Sequence, residues 1–297
     1  MKRTLFILGI LATVLGARAQ ANYDTVKIRP LKIATSIYAL KGAGGNIGML
    51  KGEDGALLID NQFAPLSEKI KEAVQSEGGG EIKLLINTHV HGDHTGGNDN
   101  FRKWGVTIIA HDNVRTRMMS QSMVNGKPVP PREPAAWPVI TFPDRIDLHW
   151  NNEDLELYHF TTGHTDGDVI VRFKKANVFH TGDLFVRYGY PFVDVNRGGS
   201  INGFITCLDR MLALMDDQSR IIPGHGEPAT KKEVQAFRDR LVDIRDTVAA
   251  ALKQGTKIED IANLHIASKY DSDWSRGFVK GRDFVLMVAE NLSKLSK

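Results

Sequence analysis

The chain has 297 residues, 42% of them hydrophobic, enough to bury a sizeable core in one large domain or two modest ones. Lys and Arg total 38 against 35 Asp and Glu, a balance that lacks the basic surface of a nucleic-acid processor. A lone cysteine, Cys207, excludes an internal disulfide framework.

Lys2-Arg3, an apolar stretch over 5–15 and the small-x-small triplet Ala17-Arg18-Ala19 predict a secretory leader over residues 1–19. The apolar stretch is too short for a bilayer span, and no later run is long enough for one. The expected mature chain, 20–297, is therefore exported, periplasmic or secreted, and free of the membrane. Loss of Lys2, Arg3 and Arg18 leaves 35 basic and 35 acidic residues.

Three short strands open the domain, at 36–40, 47–51 and 56–60. The Gly-rich segment 41–46 joins the first two and is expected to be a mobile hairpin tip, either a flap or a plain turn. Residues 65–75 read as a helix, with Leu66, Ile70, Ala73 and Val74 on one face. The apolar run Leu84-Leu85-Ile86 reads as a buried strand, and it leads into His89-Val-His91-Gly-Asp93-His94. Three imidazoles and a carboxylate in one turn, loosened by Gly92, point to a metal. Mixed His/Asp sets suit zinc, iron or manganese.

A helix at 98–103, a strand at 106–110 and a helix at 112–122 follow. Pro-rich 127–138, holding Trp137, reads as an irregular loop. Met118, Met119 and Met123 before it either wall a substrate pocket or pack inside. A second strand set spans 145–148, 155–160, 169–173 and 177–180. Three of the later strands end in a glycine-opened turn that presents one ligand type: Gly163-His164-Thr165, Thr181-Gly182-Asp183 and, after Ile221-Ile222, Gly224-His225-Gly226. Ser200 caps a predicted helix to about residue 216, on whose apolar face Cys207 lies as a core residue. Residues 231–253 form a long amphipathic helix, and a helical C-terminal extension runs from about 246 to 295. Strands alternating with helices give an α/β fold.

The order His-x-His-x-Asp-His, Gly-His-Thr, Thr-Gly-Asp, Gly-His-Gly resembles the metallo-β-lactamase superfamily, from Tyr38 to about Leu241. The resemblance implies a four-layer αββα sandwich. It implies one metal on His89, His91 and His164, a second on Asp93, His94 and His225, and Asp183 bridging them, with two zinc ions expected and iron or manganese as alternatives. A bridging hydroxide would be the nucleophile, and Asp93 would help move its proton. Asp60 matches an early aspartate that steadies the ligand loop, and Thr88, Thr165 and Asp168 are further candidates to hold ligand imidazoles. Arg187, Tyr190 and Asn196 are candidates to contact a substrate carboxylate or oxyanion, with surface loop positions as the alternative. His111, His149, His159, His180 and His265 fall outside the motif spacing and read as structural, His180 with an outer place near the site.

True β-lactamases often place a cysteine near position 183 and lack a histidine at 94. The full ligand set is similar to glyoxalase II and the lactonases. The expectation is a dinuclear zinc hydrolase opening a small-molecule amide or ester, with weak β-lactam cleavage. The alternatives are a lactonase or thioesterase, a mononuclear iron persulfide dioxygenase, and a non-catalytic metal-binding protein. Oligomeric state is left open.

Overall fold

The computed structural model describes residues 22–124 and 127–295; the predicted leader at 1–19 lies outside them. Seven strands form the first sheet: β1 (Arg29–Lys32), β2 (Ile37–Lys41), β3 (Ile47–Leu50), β4 (Ala56–Ile59), β5 (Ile82–Ile86), β6 (Thr107–His111) and, past a two-stranded hairpin of β7 (Ser122–Val124) and β8 (Lys127–Val129), β9 (Ile140–Phe142). The first four pair antiparallel and β4, β5, β6 and β9 pair parallel. Every residue of β4, Ala-Leu-Leu-Ile, is buried, as expected for a strand covered on both faces.

The second sheet orders β10 (Arg145–Trp150), β11 (Glu153–Tyr158), β12 (Ile170–Phe173), β13 (Val178–His180), β14 (Arg220–Ile222) and β15 (Ala229–Thr230). β10 alternates between exposed and half-buried positions, the mark of an edge strand with one wet face. It runs two residues past its predicted end because Asn151 and Asn152, at φ 52° and 58°, make the tight turn into β11. Asparagine tolerates that left-handed backbone.

Ile37, Leu57, Ile59, Ile86 and Ile109 of the first sheet meet Leu155, Leu157, Val171, Phe173 and Ile222 of the second in a buried core. Outside the first sheet, α1 (Ser67–Ser76) and α2 (Asn98–Lys103) pack Ile70, Val74 and Phe101 on Met49, Leu58, Leu85 and Ile108. Outside the second, α3 (Ile201–Leu214), α4 (Lys231–Lys253) and α5 (Gly281–Leu295) bury Phe204, Leu208, Leu241, Ile244 and Phe284. This is the αββα order. The Ser200 side chain accepts from Gly203 N to start α3, and Thr230 with Glu233 forms the capping box of α4. Cys207 lies in this outer core, and burial pushes its thiol pKa up. Among the described residues no helix is long and apolar enough to cross a membrane.

Further local expectations change: the helix expected over 112–122 ends at Met119, and Ser122 opens β7. Residues 127–138 are not wholly irregular: they supply β8 and a 3-10 turn, Pro134–Ala136. The tip between β2 and β3 is pinned: Gly45 N donates to Asp93 O (3.1 Å), Asn46 N to Gly224 O (2.7 Å), and Gln62 Nε2 to Gly45 O (2.7 Å). Its glycines serve close approach, since a Cβ on Gly45 would overlap the His94 ring, 2.5 Å from Nε2. Gly92, by contrast, has nothing within 4 Å of where a Cβ would sit.

Candidate metal centre

β4 and β5 are parallel, β13 and β14 are parallel, and two antiparallel steps bring β11 into the direction of β13. Within each sheet the turns after these strands therefore open at one edge, and the side chains they carry meet across the two sheets. β4 delivers Asp60, β5 delivers His89–His94, and β11 is followed by the turn bearing His164. β13 delivers Asp183 and β14 delivers His225.

The side chains converge in two groups. His89, His91, His164 and Asp183 form one, and Asp93, His94 and His225 the other, with ligand atoms within 4.8 Å of one another in each. In the first, His91 Nδ1 lies 3.1 Å from His89 Nε2 and 2.8 Å from His164 Nε2. In the second, His225 Nε2 lies 3.2 Å from His94 Nε2 and 3.2 Å from Asp93 Oδ2. Asp183 faces both: Oδ1 is 3.2 Å from His94 Nε2 and 3.4 Å from His225 Nε2, and Oδ2 is 3.7 Å from His164 Nε2. Asp183 Oδ1 is buried without a well-formed hydrogen bond. A Cβ on Gly224 would run into that oxygen, so only glycine leaves it open.

The far nitrogens of four imidazoles are each held. His94 Nδ1 donates to Asp60 Oδ2 (2.7 Å), His91 Nε2 to Asp194 Oδ2 (2.8 Å), His164 Nδ1 to Phe192 O (2.6 Å) and His89 Nδ1 to Thr88 Oγ1 (3.0 Å). Those bonds place the protons outward and leave lone pairs pointing inward, the tautomers a metal ligand needs. Asp60 is buried at φ 64° and also accepts from Thr88 N and Thr88 Oγ1. A strained, buried carboxylate with three donors is a fixed point for the ligand loop.

Electrostatics divide the groups. Burial, reinforced by neighbouring imidazoles, keeps His89 well below its ordinary pKa and His164 at about 4. Burial opposes charge in the second group, yet Asp183, Asp60 and Asp93 raise His94, and Asp183 with Asp93 raises His225 to about 9. Against its own desolvation, Asp93 is drawn down to about 2 by His94 and His225. His89 and His164 thus offer neutral lone pairs, while His94 and His225 draw positive charge. Converging lone pairs, an open carboxylate oxygen and a glycine-cleared approach all fit cations.

The remaining predicted residues lie elsewhere. Thr165 N and Oγ1 donate to Asp168, closing the turn that carries His164; neither side chain reaches a ligand imidazole. Tyr190 is fully buried, its hydroxyl 2.9 Å from both Ala267 O and Asp271 Oδ1, so it is a core residue and not a substrate contact. Arg187 turns away to Glu233 Oε1 (2.6 Å) and Pro228 O (2.6 Å) and lines a separate cavity. Asn196 lines a neighbouring cavity of about 780 Å³ together with Met118 and Met123, while Met118 itself is buried. His180 is buried behind the hairpin, its Nε2 3.0 Å from Asn46 O, and His111 stacks on His159 at 3.8 Å. Sequence reasoning missed Asp194, which grips His91 across 103 positions, and the aromatic pocket walls Tyr188, Phe192 and Phe278. Tyr188 stands between Arg187 and Tyr190; nothing in the sequence distinguished it from them.

Residues 40–225 match the family model of the metallo-beta-lactamase superfamily. The probable metallo-hydrolase YqgX of Bacillus subtilis is 25% identical over 61% of this chain and 87% of its own. Acyl-coenzyme A thioesterase MBLAC2 of Homo sapiens is 24% identical over 62% of this chain and 74% of its own. A hydroxyacylglutathione hydrolase of Polaromonas sp. is 28% identical over 57% of each. Among solved structures, a metallo-beta-lactamase from Pontibacter korlensis superposes with TM-score 0.63 at 16% identity, over 73% of this chain and all of that one. The sec-alkyl sulfatase PisA1 gives TM-score 0.69 at 13% identity, over 89% of this chain and 50% of that one; these two show the shared fold. With ligand motifs, sandwich and family match in agreement, the chain belongs to the metallo-beta-lactamase superfamily and is a metal-dependent hydrolase.

Proposed function

We propose that the protein is a two-zinc hydrolase that opens an acyl carbonyl of a small-molecule ester, thioester or strained amide by attack of water. The observation that carries this reading is Asp183, whose two oxygens face the two ligand groups separately. His89, His91 and His164 would hold one ion, Asp93, His94 and His225 the other, and Asp183 both. Bound there, a zinc pair supplies Lewis acidity toward water and carbonyl. The chain does the rest. Asp93, ionised and partly open to the pocket, is placed to accept a hydrogen bond from the attacking water and to take its proton. Tyr188 and Phe192 give the pocket, about 420 Å³, an aromatic wall.

Thioesterase and hydroxyacylglutathione hydrolase relatives weigh toward thioesters and esters. A metallo-beta-lactamase type 2 of Bacillus sp., 21% identical, keeps β-lactam cleavage as a weak secondary activity. The leader-like residues 1–19 extend the proposal to export. The test is elemental analysis joined to a hydrolysis panel: a chromogenic cephalosporin, an acyl lactone, a glutathione thioester and a phosphodiester. Two zinc ions and turnover of an acyl substrate are expected. One iron ion with oxygen uptake on a persulfide would replace this reading, and an inert protein would end it. Asp183→Ala should lose both ions and turnover together; retention of two ions at full turnover refutes the bridging role.

A further inference from the structure

One wall of the pocket comes from residues 276–278, beyond position 225 where the family match ends. They lie between the short helix Asp271–Trp274 and the C-terminal helix Gly281–Leu295. The segment is firmly seated. Tyr190 N donates to Trp274 O (3.2 Å), and Lys280 Nζ donates to Ser275 O (2.7 Å) and Gly277 O (2.8 Å). Gly277 presses on Tyr188 so closely that a Cβ would stand 2.7 Å from its ring. The buried Tyr190 hydroxyl ties the same segment down through Asp271.

Two side chains on this wall are left open to the pocket and solvent. Phe278 is 70% exposed, its ring 5.5 Å from Tyr188 and 6.2 Å from Phe192, so an aromatic row runs along the pocket with one outer face uncovered. Arg276 is exposed at the pocket and makes no ion pair among the described residues. A planar cation beside an aromatic row, lining the same pocket as the ligand side chains, matches a ligand with an apolar body and an anionic end.

We propose that Arg276 and Phe278 are specificity-determining residues for an acyl substrate whose aromatic or branched apolar body carries a carboxylate away from the scissile bond. The substrate class rests on the acyl-hydrolase reading above; the subsite itself does not. The Tyr188–Phe192–Phe278 row takes the body and Arg276 takes the carboxylate. Because the wall lies outside the family match, it separates this protein's substrate from those of relatives that share only the metal loops.

The test uses the zinc-loaded full chain and two 4-nitrophenyl esters, of 3-(4-carboxyphenyl)propanoic acid and of 3-phenylpropanoic acid, which differ only in the remote carboxylate. Arg276→Gln should raise KM for the carboxylated ester by about tenfold to a hundredfold, the range of a lost charge-assisted hydrogen bond, with kcat and the neutral ester nearly unchanged. Arg276→Lys should recover part of the loss, and Phe278→Ala should raise KM for both esters. Calorimetry with the two free acids gives a readout without turnover: wild type should prefer the dicarboxylate, and Arg276→Gln should erase that preference. If neither ester is turned over, the hydrolase reading is at fault, while the calorimetric preference still upholds the subsite. Equal effects of Arg276→Gln on both esters, or a calorimetric preference that survives it, would overturn the proposal.

Discussion

Replacing Gly45 with alanine should damage the metal centre from a position that carries no ligand. The added Cβ would lie 2.5 Å from His94 Nε2 and 2.7 Å from His94 Nδ1. The ring's Cε1 would be closer still, and ordinary contact needs about 3.5 Å, so more than about 1 Å must be found. The hairpin cannot easily yield it, being tied to Asp93 O, Gly224 O and Gln62. The His94 ring is fully buried, and swinging away would break its 2.7 Å bond to Asp60. Overpacking of this kind costs about 1–3 kcal/mol of stability. A ligand displaced by about 1 Å costs on the order of 10²-fold in rate. Gly45→Ala should therefore lower occupancy of the Asp93–His94–His225 group, measured by elemental analysis, together with kcat. Gly92→Ala, inside the ligand motif but with open space around it, is the matched control and should keep both. A Gly45→Ala protein with wild-type metal content and kcat would refute the packing argument.

Asp194→Asn removes the charged partner of His91 and should weaken metal binding by about 10–100-fold, read by competition with a chelator. In the metal-free chain, His225 is raised from 6.5 to about 9, and His94 is raised too. Stability from such groups is complete below pH 6.5 and lost as pH climbs through about 9, so the metal-free Tm should fall across that window. Metal must displace the same protons, so its affinity should rise there, checked by titrations at several pH values; a metal-free Tm that climbs would contradict this. Tyr190→Phe should lower stability by about 1–2 kcal/mol without changing metal content; an unchanged Tm with a raised KM would return Tyr190 to the substrate.

Chain-local patterns carried much of this molecule. The amphipathic helix at 231–253 is where its apolar spacing puts it, and the helix at Ile201–Leu214 starts at its Ser200 cap, because those signals act within a few residues. The seven ligand candidates were legible because they cluster in short, glycine-containing turns that follow apolar strands, and parallel strands carry such turns to one edge. Which way a loop side chain faces is another matter, decided by whatever packs on it from afar. Arg187 and Tyr190 were reasonable substrate contacts by position, but Glu233 and Asp271, distant in sequence, draw them away. Asp194 meets His91, and Phe278 meets Tyr188, only after both sheets and the C-terminal helices have closed. Sequence alone thus determined the ligand chemistry and the alternation of strand and helix, since both are written in local spacing. The partners of the imidazoles and the walls of the pocket are contacts between distant segments, and only the packed tertiary structure decided them.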